Sequence, residues 1–100
     1  MGNMSDCHIV FSPRAKQRLE EIADYLFQQN LSNQFVIDYL NQFENWLMLV
    51  VGQFPESGRL MPELGENIRR LSYREYSFIY RYQRKTVEIL TIYRENLPGL

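Results

Sequence analysis

The residues best suited to chemistry crowd into the last third of the 100-residue chain. Arg69, Arg70, Arg74, Arg81, Arg84, Lys85 and Arg94 stand there, interleaved with Tyr73, Tyr76, Tyr80, Tyr82 and Tyr93. A guanidinium carries a planar fork of N–H donors that grips a carboxylate or a phosphate through two bonds at once. A tyrosine adds apolar area with a hydrogen-bonding tip, and Arg and Tyr together are enriched at protein–protein hot spots. This pattern points to a binding surface, with Arg69, Arg70, Arg74, Tyr76, Arg81, Tyr93 and Arg94 as the candidate target- or partner-binding residues. Two plainer readings stand beside it. The arginines can be the solvated rim of a sheet, and the tyrosines can fill core and edge positions rather than stack on bases.

Other chemistry is poorly supplied. One cysteine, Cys7, excludes an intrachain disulfide framework and a multi-cysteine zinc site. His8 is the only histidine, so His-rich metal chemistry is excluded too. Glu20, Glu21 and Asp24 fall on one stretch of helical pattern and read as a solvated face rather than as a general acid/base set. No metal, cofactor or catalytic residue is assigned.

Charge sharpens the picture. The formal net charge is only −1, which argues against coating nucleic acid or membrane with the whole surface. It is unevenly spread. Residues 1–65 hold four Lys/Arg against eight Asp/Glu, a net −4, and residues 66–100 hold seven against four, a net +3.

These side chains need elements to place them. His8-Ile9-Val10-Phe11 is short and β-branched and predicts a strand. Ser12-Pro13 predicts a helix start, with Ser as N-cap and Pro at the first helical position. Ala15, Leu19, Ile22, Ala23 and Leu26 then repeat at helical spacing. Ser32 caps a second helix over about 33–52, through Val36, Tyr39, Leu40, Phe43, Trp46, Leu47 and Val50. Trp46 to Val51 is apolar on all sides and is expected in the core. The short link between the helices implies an antiparallel hairpin. Pro55, Gly58, Pro62 and Gly65 mark 53–67 as a loop. The period then changes to two, giving strands at 68–73, 76–82 and 86–93, joined by tight turns at 74–75 and 83–85. The last strand is the most apolar and is expected to be central. The fold class is α+β: an antiparallel β-meander with an N-terminal strand, packed on one face by a two-helix hairpin.

One domain fits the length. Met1 to Cys7 is polar and expected to be flexible, and Met1-Gly2-Asn3-Met4 reads as an expression scar before a natural start at Met4. No apolar leader region is seen, and the longest apolar run falls far short of the ~20 residues that cross a bilayer. A cytoplasmic protein with a reduced thiol is expected.

Four ordered segments resemble the ParE branch of the RelE/ParE superfamily of bacterial toxins. Phe11-Ser12-Pro13-Arg14-Ala15 leading into Leu19 to Leu26 is similar to the family's first helix. Phe54-Pro55-Glu56-Ser57-Gly58-Arg59 with Pro62-Glu63-Leu64-Gly65 resembles its "P-x-x-G-R-x-x-P-E-L" loop. Ile68-Arg69-Arg70-Leu71 and Tyr76 to Arg81 resemble its middle strands, and Val87 to Arg94 its closing strand. The resemblance runs from about Ile9 to Pro98.

It implies the toxin of a type II toxin–antitoxin module, associated with plasmid stabilisation. The target would be DNA gyrase, and a ParD-like cognate antitoxin would neutralise it. Direct nucleic-acid binding is not expected without that antitoxin, and a homodimer is left open. RelE-type relatives instead cut mRNA on the ribosome. This chain lacks their lysines on the first meander strand, carries Ser77 where they tend to place Arg, and has no Tyr after the last strand. Ribosome-dependent cleavage is therefore the alternative, together with a relative that binds an antitoxin and poisons nothing. One departure stands out: Tyr93 occupies the place of a usual His, and a tyrosine does not titrate near neutral pH.

Overall fold

The computed structural model describes residues 7–94. It begins with strand β1 (His8–Phe11), then helix α1 (Pro13–Gln28) and helix α2 (Asn33–Gln53). Strands β2 (Arg59–Leu60), β3 (Ile68–Tyr73), β4 (Tyr76–Gln83) and β5 (Thr86–Arg94) follow, with a 3-10 turn at Pro62–Leu64. All five strands join one sheet in the order β1-β5-β4-β3-β2. The α+β class, the helix hairpin and the meander are as the periodicities predict. The expected flexible N-terminus lies largely outside the described residues. Cys7, the described end of it, donates its backbone N–H to Gly52 O at 3.0 Å.

The helix starts follow their caps. Ser12 Oγ accepts from Ala15 N at 3.1 Å, and Ser32 Oγ accepts from Phe35 N at 3.1 Å. Each side chain thereby satisfies one of the orphan donors of a first turn. Ser12 does more than cap, because its hydroxyl also donates to Leu90 O at 2.9 Å and ties the start of α1 to β5. The inner faces are Ala15, Ile22 and Leu26 on α1 and Val36, Phe43, Leu47 and Val51 on α2. They pack on Tyr76, Phe78, Tyr80, Val87, Ile89 and Ile92 of the sheet. No helix among the described residues is long and apolar enough to cross a membrane.

Four expectations need correction. The 53–67 loop contains the two-residue strand β2 and a 3-10 turn, too short to show a period. β5 is interior, but the middle of the sheet is β4, flanked by β3 and β5 and buried from Tyr76 to Tyr80. The last turn is Arg84–Lys85 alone, since Gln83 pairs with Thr86; both turn residues have positive φ, 53° and 61°, as a hairpin of the right twist requires. Within 46–51 only Leu47 and Val51 are buried, while Met48 and Leu49 are 62% and 60% exposed. The apolar run covers the full helix circumference, and the sheet takes only one side of it.

Candidate functional site

Alternation along the strands divides the candidate residues between two faces. Leu71, Tyr73, Tyr76, Phe78 and Ile92 lie on the helix side, and residues one step away lie on the open side. Cross-strand partners bring Arg59 of β2 opposite Arg70, Ser72 opposite Ser77, Arg81 opposite Glu88 and Ser77 opposite Tyr93. The open face therefore gathers Arg70, Arg81 and Tyr93 from the candidates and adds Arg59, Ser72 and Ser77. Arg70 Nε donates to Ser77 Oγ at 3.4 Å, and Ser77 Oγ lies 3.2 Å from Ser72 Oγ. Arg81 approaches Glu88 at only 3.8 Å, with both side chains well exposed, so this pair adds little stability. Two arginines directly opposite on a ladder repel.

The remaining candidates sit elsewhere. Arg69 points to the helix side, where its Nη1 donates to Glu56 O at 3.0 Å and Gly58 O at 2.8 Å. It holds the loop. Arg74 opens the β3–β4 turn with φ 56°, donates to Gln42 Oε1 at 2.9 Å and lies 5.1 Å above the rings of both Tyr39 and Tyr73. Arg94 lies 5.0 Å above the Tyr25 ring and 3.4 Å from Glu75 Oε2. Its hydrogen bond to Tyr25 raises its pKa further. Each helix is thus fastened to the same end of the sheet by an arginine stacked on a tyrosine. Tyr76 is 3% exposed and belongs to the core.

Between α1 and β5 lies a groove of about 370 Å³. Its floor is Ile22, Ile92 and Tyr76, and its rim carries Arg18, Glu21, Tyr25, Tyr93 and Arg94. Of these, Arg18 and Tyr25 escape the sequence reading as site residues, although with Ile22, read there as a core-facing position, their i, i+4, i+7 spacing places them on one helix face. Arg59 was legible only as part of a loop motif. Among the described residues no group of three His, Cys, Asp or Glu comes together to hold a metal ion.

Burial sets the protonation of the tyrosines. Desolvation pushes Tyr76 up to about 12, with the nearby Tyr39 as the next cause. Tyr39, Tyr80 and Tyr82 are raised by burial as well. In the unfolded chain these groups ionise near pH 10. Above that pH the unfolded state sheds protons that the folded state keeps, so stability falls as pH rises. The Tyr76 contribution is fully present below pH 10 and is lost as pH climbs through about 12. Melting temperatures measured across this window should fall steeply, and Tyr76→Phe should flatten the fall. An unchanged slope in that variant would show that Tyr76 is not the group being titrated.

The comparisons with known proteins agree with this architecture. The model of the family described as ParE toxin of the type II toxin–antitoxin system matches residues 9–96. Among curated protein sequences none matches. Two solved structures share the fold at 17% sequence identity. One is the chromosomal ParDE toxin–antitoxin system from P. aeruginosa, with a TM-score of 0.70 over 92% of this chain and 99% of that chain. The other is the toxin–antitoxin complex RelBE2 from Mycobacterium tuberculosis, with a TM-score of 0.61 over 95% and 98%.

Proposed function

The chain belongs to the ParE toxin family of type II toxin–antitoxin systems, and from that premise we propose that it arrests growth by binding DNA gyrase and is held silent by a ParD-like antitoxin. The observation that carries the target reading is the open sheet face, where Arg59, Arg70 and Arg81 stand with Tyr93, which is 41% exposed. Such a face offers guanidinium forks and aromatic area to a protein surface rich in carboxylates. Toxicity by binding asks for complementarity and places no demand on a titrating group, so Tyr93 in the place of a His is compatible with it. The cytoplasm, where gyrase works, is the corresponding site of action, and stabilisation of the plasmid that carries the toxin–antitoxin pair is the corresponding role.

A supercoiling assay with purified protein tests the reading. Inhibition of gyrase with cellular mRNA intact is expected. Ribosome-dependent cuts in mRNA with gyrase unaffected would overturn it in favour of a RelE-type nuclease. Absence of growth arrest on induction would leave a relative that only binds an antitoxin. Arg59→Ala and Arg81→Ala should each raise the half-inhibitory concentration roughly tenfold, with the far-ultraviolet circular dichroism unchanged. If both variants stay fully potent, the basic sheet is not the target surface.

A further inference from the structure

Strand β1 ends the sheet, with β5 on one side and, among the described residues, no strand on the other. Its hydrogen bonds fix which main-chain groups face out. His8 N–H donates to Lys85 O and Ser12 N–H to Ile89 O, so His8, Val10 and Ser12 turn toward β5. Ile9 and Phe11 therefore turn their N–H and C=O groups away from the sheet. The open stretch is bounded at both ends. Cys7 N–H is held by Gly52 O at the end of α2, and Ser12 is spent on Ile89 O and Leu90 O. Between them no lysine, proline or bulge blunts the edge. Beside it runs a groove of about 460 Å³, lined by Ile9, Phe11, Leu47 and Met48, with His8 and Glu44. Helix α2 crosses the sheet from Phe78, where Phe43 packs, down to Cys7, so it comes nearest β1 at the Cys7 end. Glu44, about two turns before Gly52, stands at the Phe11 end of the groove.

We infer that a second copy of this chain pairs here, β1 against β1, antiparallel about a two-fold axis at Val10. The edge is complementary to itself. Ile9 of each chain faces Phe11 of the other, and these are the residues whose main-chain groups point outward, so each pair exchanges hydrogen bonds in both directions. Val10, 39% exposed on the open side of the sheet, meets Val10 of the second copy in the close, non-hydrogen-bonded pair. The antiparallel sense carries His8 of the second copy to the Phe11 end, where the Glu44 carboxylate accepts from its ring N–H. A longer strand from another protein would find no further outward donors, because Cys7 and Ser12 are already bonded, whereas a copy of β1 matches the open length. The net charge of −1 leaves little repulsion between copies. The two sheets become one, and the basic open faces come to lie side by side, so that one assembly presents the face twice.

Cross-linking tests the pairing. In a Cys7→Ser background, Val10→Cys sets two thiols in the close cross-strand pair, where Cα atoms about 4.5 Å apart admit a disulfide. Mild oxidation of the full chain should convert most of it to a covalent dimer. Leu49→Cys in the same background, 60% exposed on another face of α2, should stay monomeric. In the chain without these substitutions, sedimentation should report a dimer that dissociates on dilution. The Ile9 and Phe11 amides should exchange on the order of tenfold more slowly as its concentration rises. Val10→Lys puts two like charges opposite each other and should leave a monomer with unchanged circular dichroism. A monomer at every concentration, equal cross-linking of the two cysteine variants, or a dimer that survives Val10→Lys overturns the inference. Protection of these amides that requires a different protein gives the edge to that protein and overturns it too. None of these readouts depends on the target or the antitoxin.

Discussion

Gly58→Ala should lower the unfolding free energy by about 2–4 kcal/mol, enough to shift the melting temperature by roughly 10 °C or more in a domain of this size. A Cβ at Gly58 would stand 2.6 Å from Tyr80 Oη, 2.8 Å from Arg70 O and 3.0 Å from Tyr80 Cε1. None of these atoms can retreat freely. Arg70 O is backbone, and Tyr80 is wholly buried. The Tyr80 hydroxyl is engaged twice, accepting from Gly58 N at 3.0 Å and donating to Pro55 O at 2.8 Å. Arg69, the cross-strand partner of Tyr80, grips the same turn through Glu56 O and Gly58 O. One ladder pair of β3 and β4 thus stitches down the loop that delivers β2, and β2 carries Arg59 to its place opposite Arg70.

A double-mutant cycle measures the stitch. Tyr80→Phe removes both hydroxyl bonds and should cost about 1–3 kcal/mol alone. In that background Gly58→Ala should cost less, because the closest clash is gone while Arg70 O remains. The two changes are therefore non-additive. Gly58→Ala melting within a degree or two of the parent would mean that the loop shifts at little cost and that the clamp does not hold β2.

The clamp also shows where sequence reading runs out. Ser12-Pro13 and Ser32 announced both helix starts because a cap acts through neighbours a few residues away. The alternation from Ile68 to Tyr93 announced three strands because one sheet face is buried by the helices. Local rules carry that far. Tyr80, Gly58 and Pro55 meet across more than twenty residues of chain, and nothing in the spacing of a tyrosine and a glycine signals a shared hydrogen bond. The candidate site suffered in the same way. Arg70, Arg81 and Tyr93 share the open face, whereas Arg69, Arg74 and Arg94 are spent on loop carbonyls and tyrosine rings. A basic run in sequence does not become a basic patch, because a strand sends successive side chains to opposite faces. The open outer edge of β1 was invisible for a related reason. It depends on β1 ending the sheet and on α2 reaching it only at Cys7.

Phe43→Ala should be at least as damaging, at about 3–5 kcal/mol. Phe43 is 2% exposed and is the hub of an aromatic cluster. Its ring centroid lies 5.2 Å from those of Tyr76 and Phe78, 5.5 Å from Tyr73 and 5.8 Å from Tyr39. Truncation forfeits the burial of the ring, leaves a cavity between α2 and the sheet, and loses several edge-on aromatic contacts at once. Domains of this size are stable by about 5–15 kcal/mol, so the loss is a large share of the total. The effect should spread to the β3–β4 turn, since Tyr39 and Tyr73 are the rings on which Arg74 rests. Near-ultraviolet circular dichroism and denaturant titration would report both the loss of packing and the fall in stability. Phe35→Ala is the matched control. Phe35 is 47% exposed and, among the described residues, stacks on Tyr39 alone, at 6.2 Å, so it should cost under about 1 kcal/mol. If the two variants are destabilised equally, α2 is not anchored through Phe43.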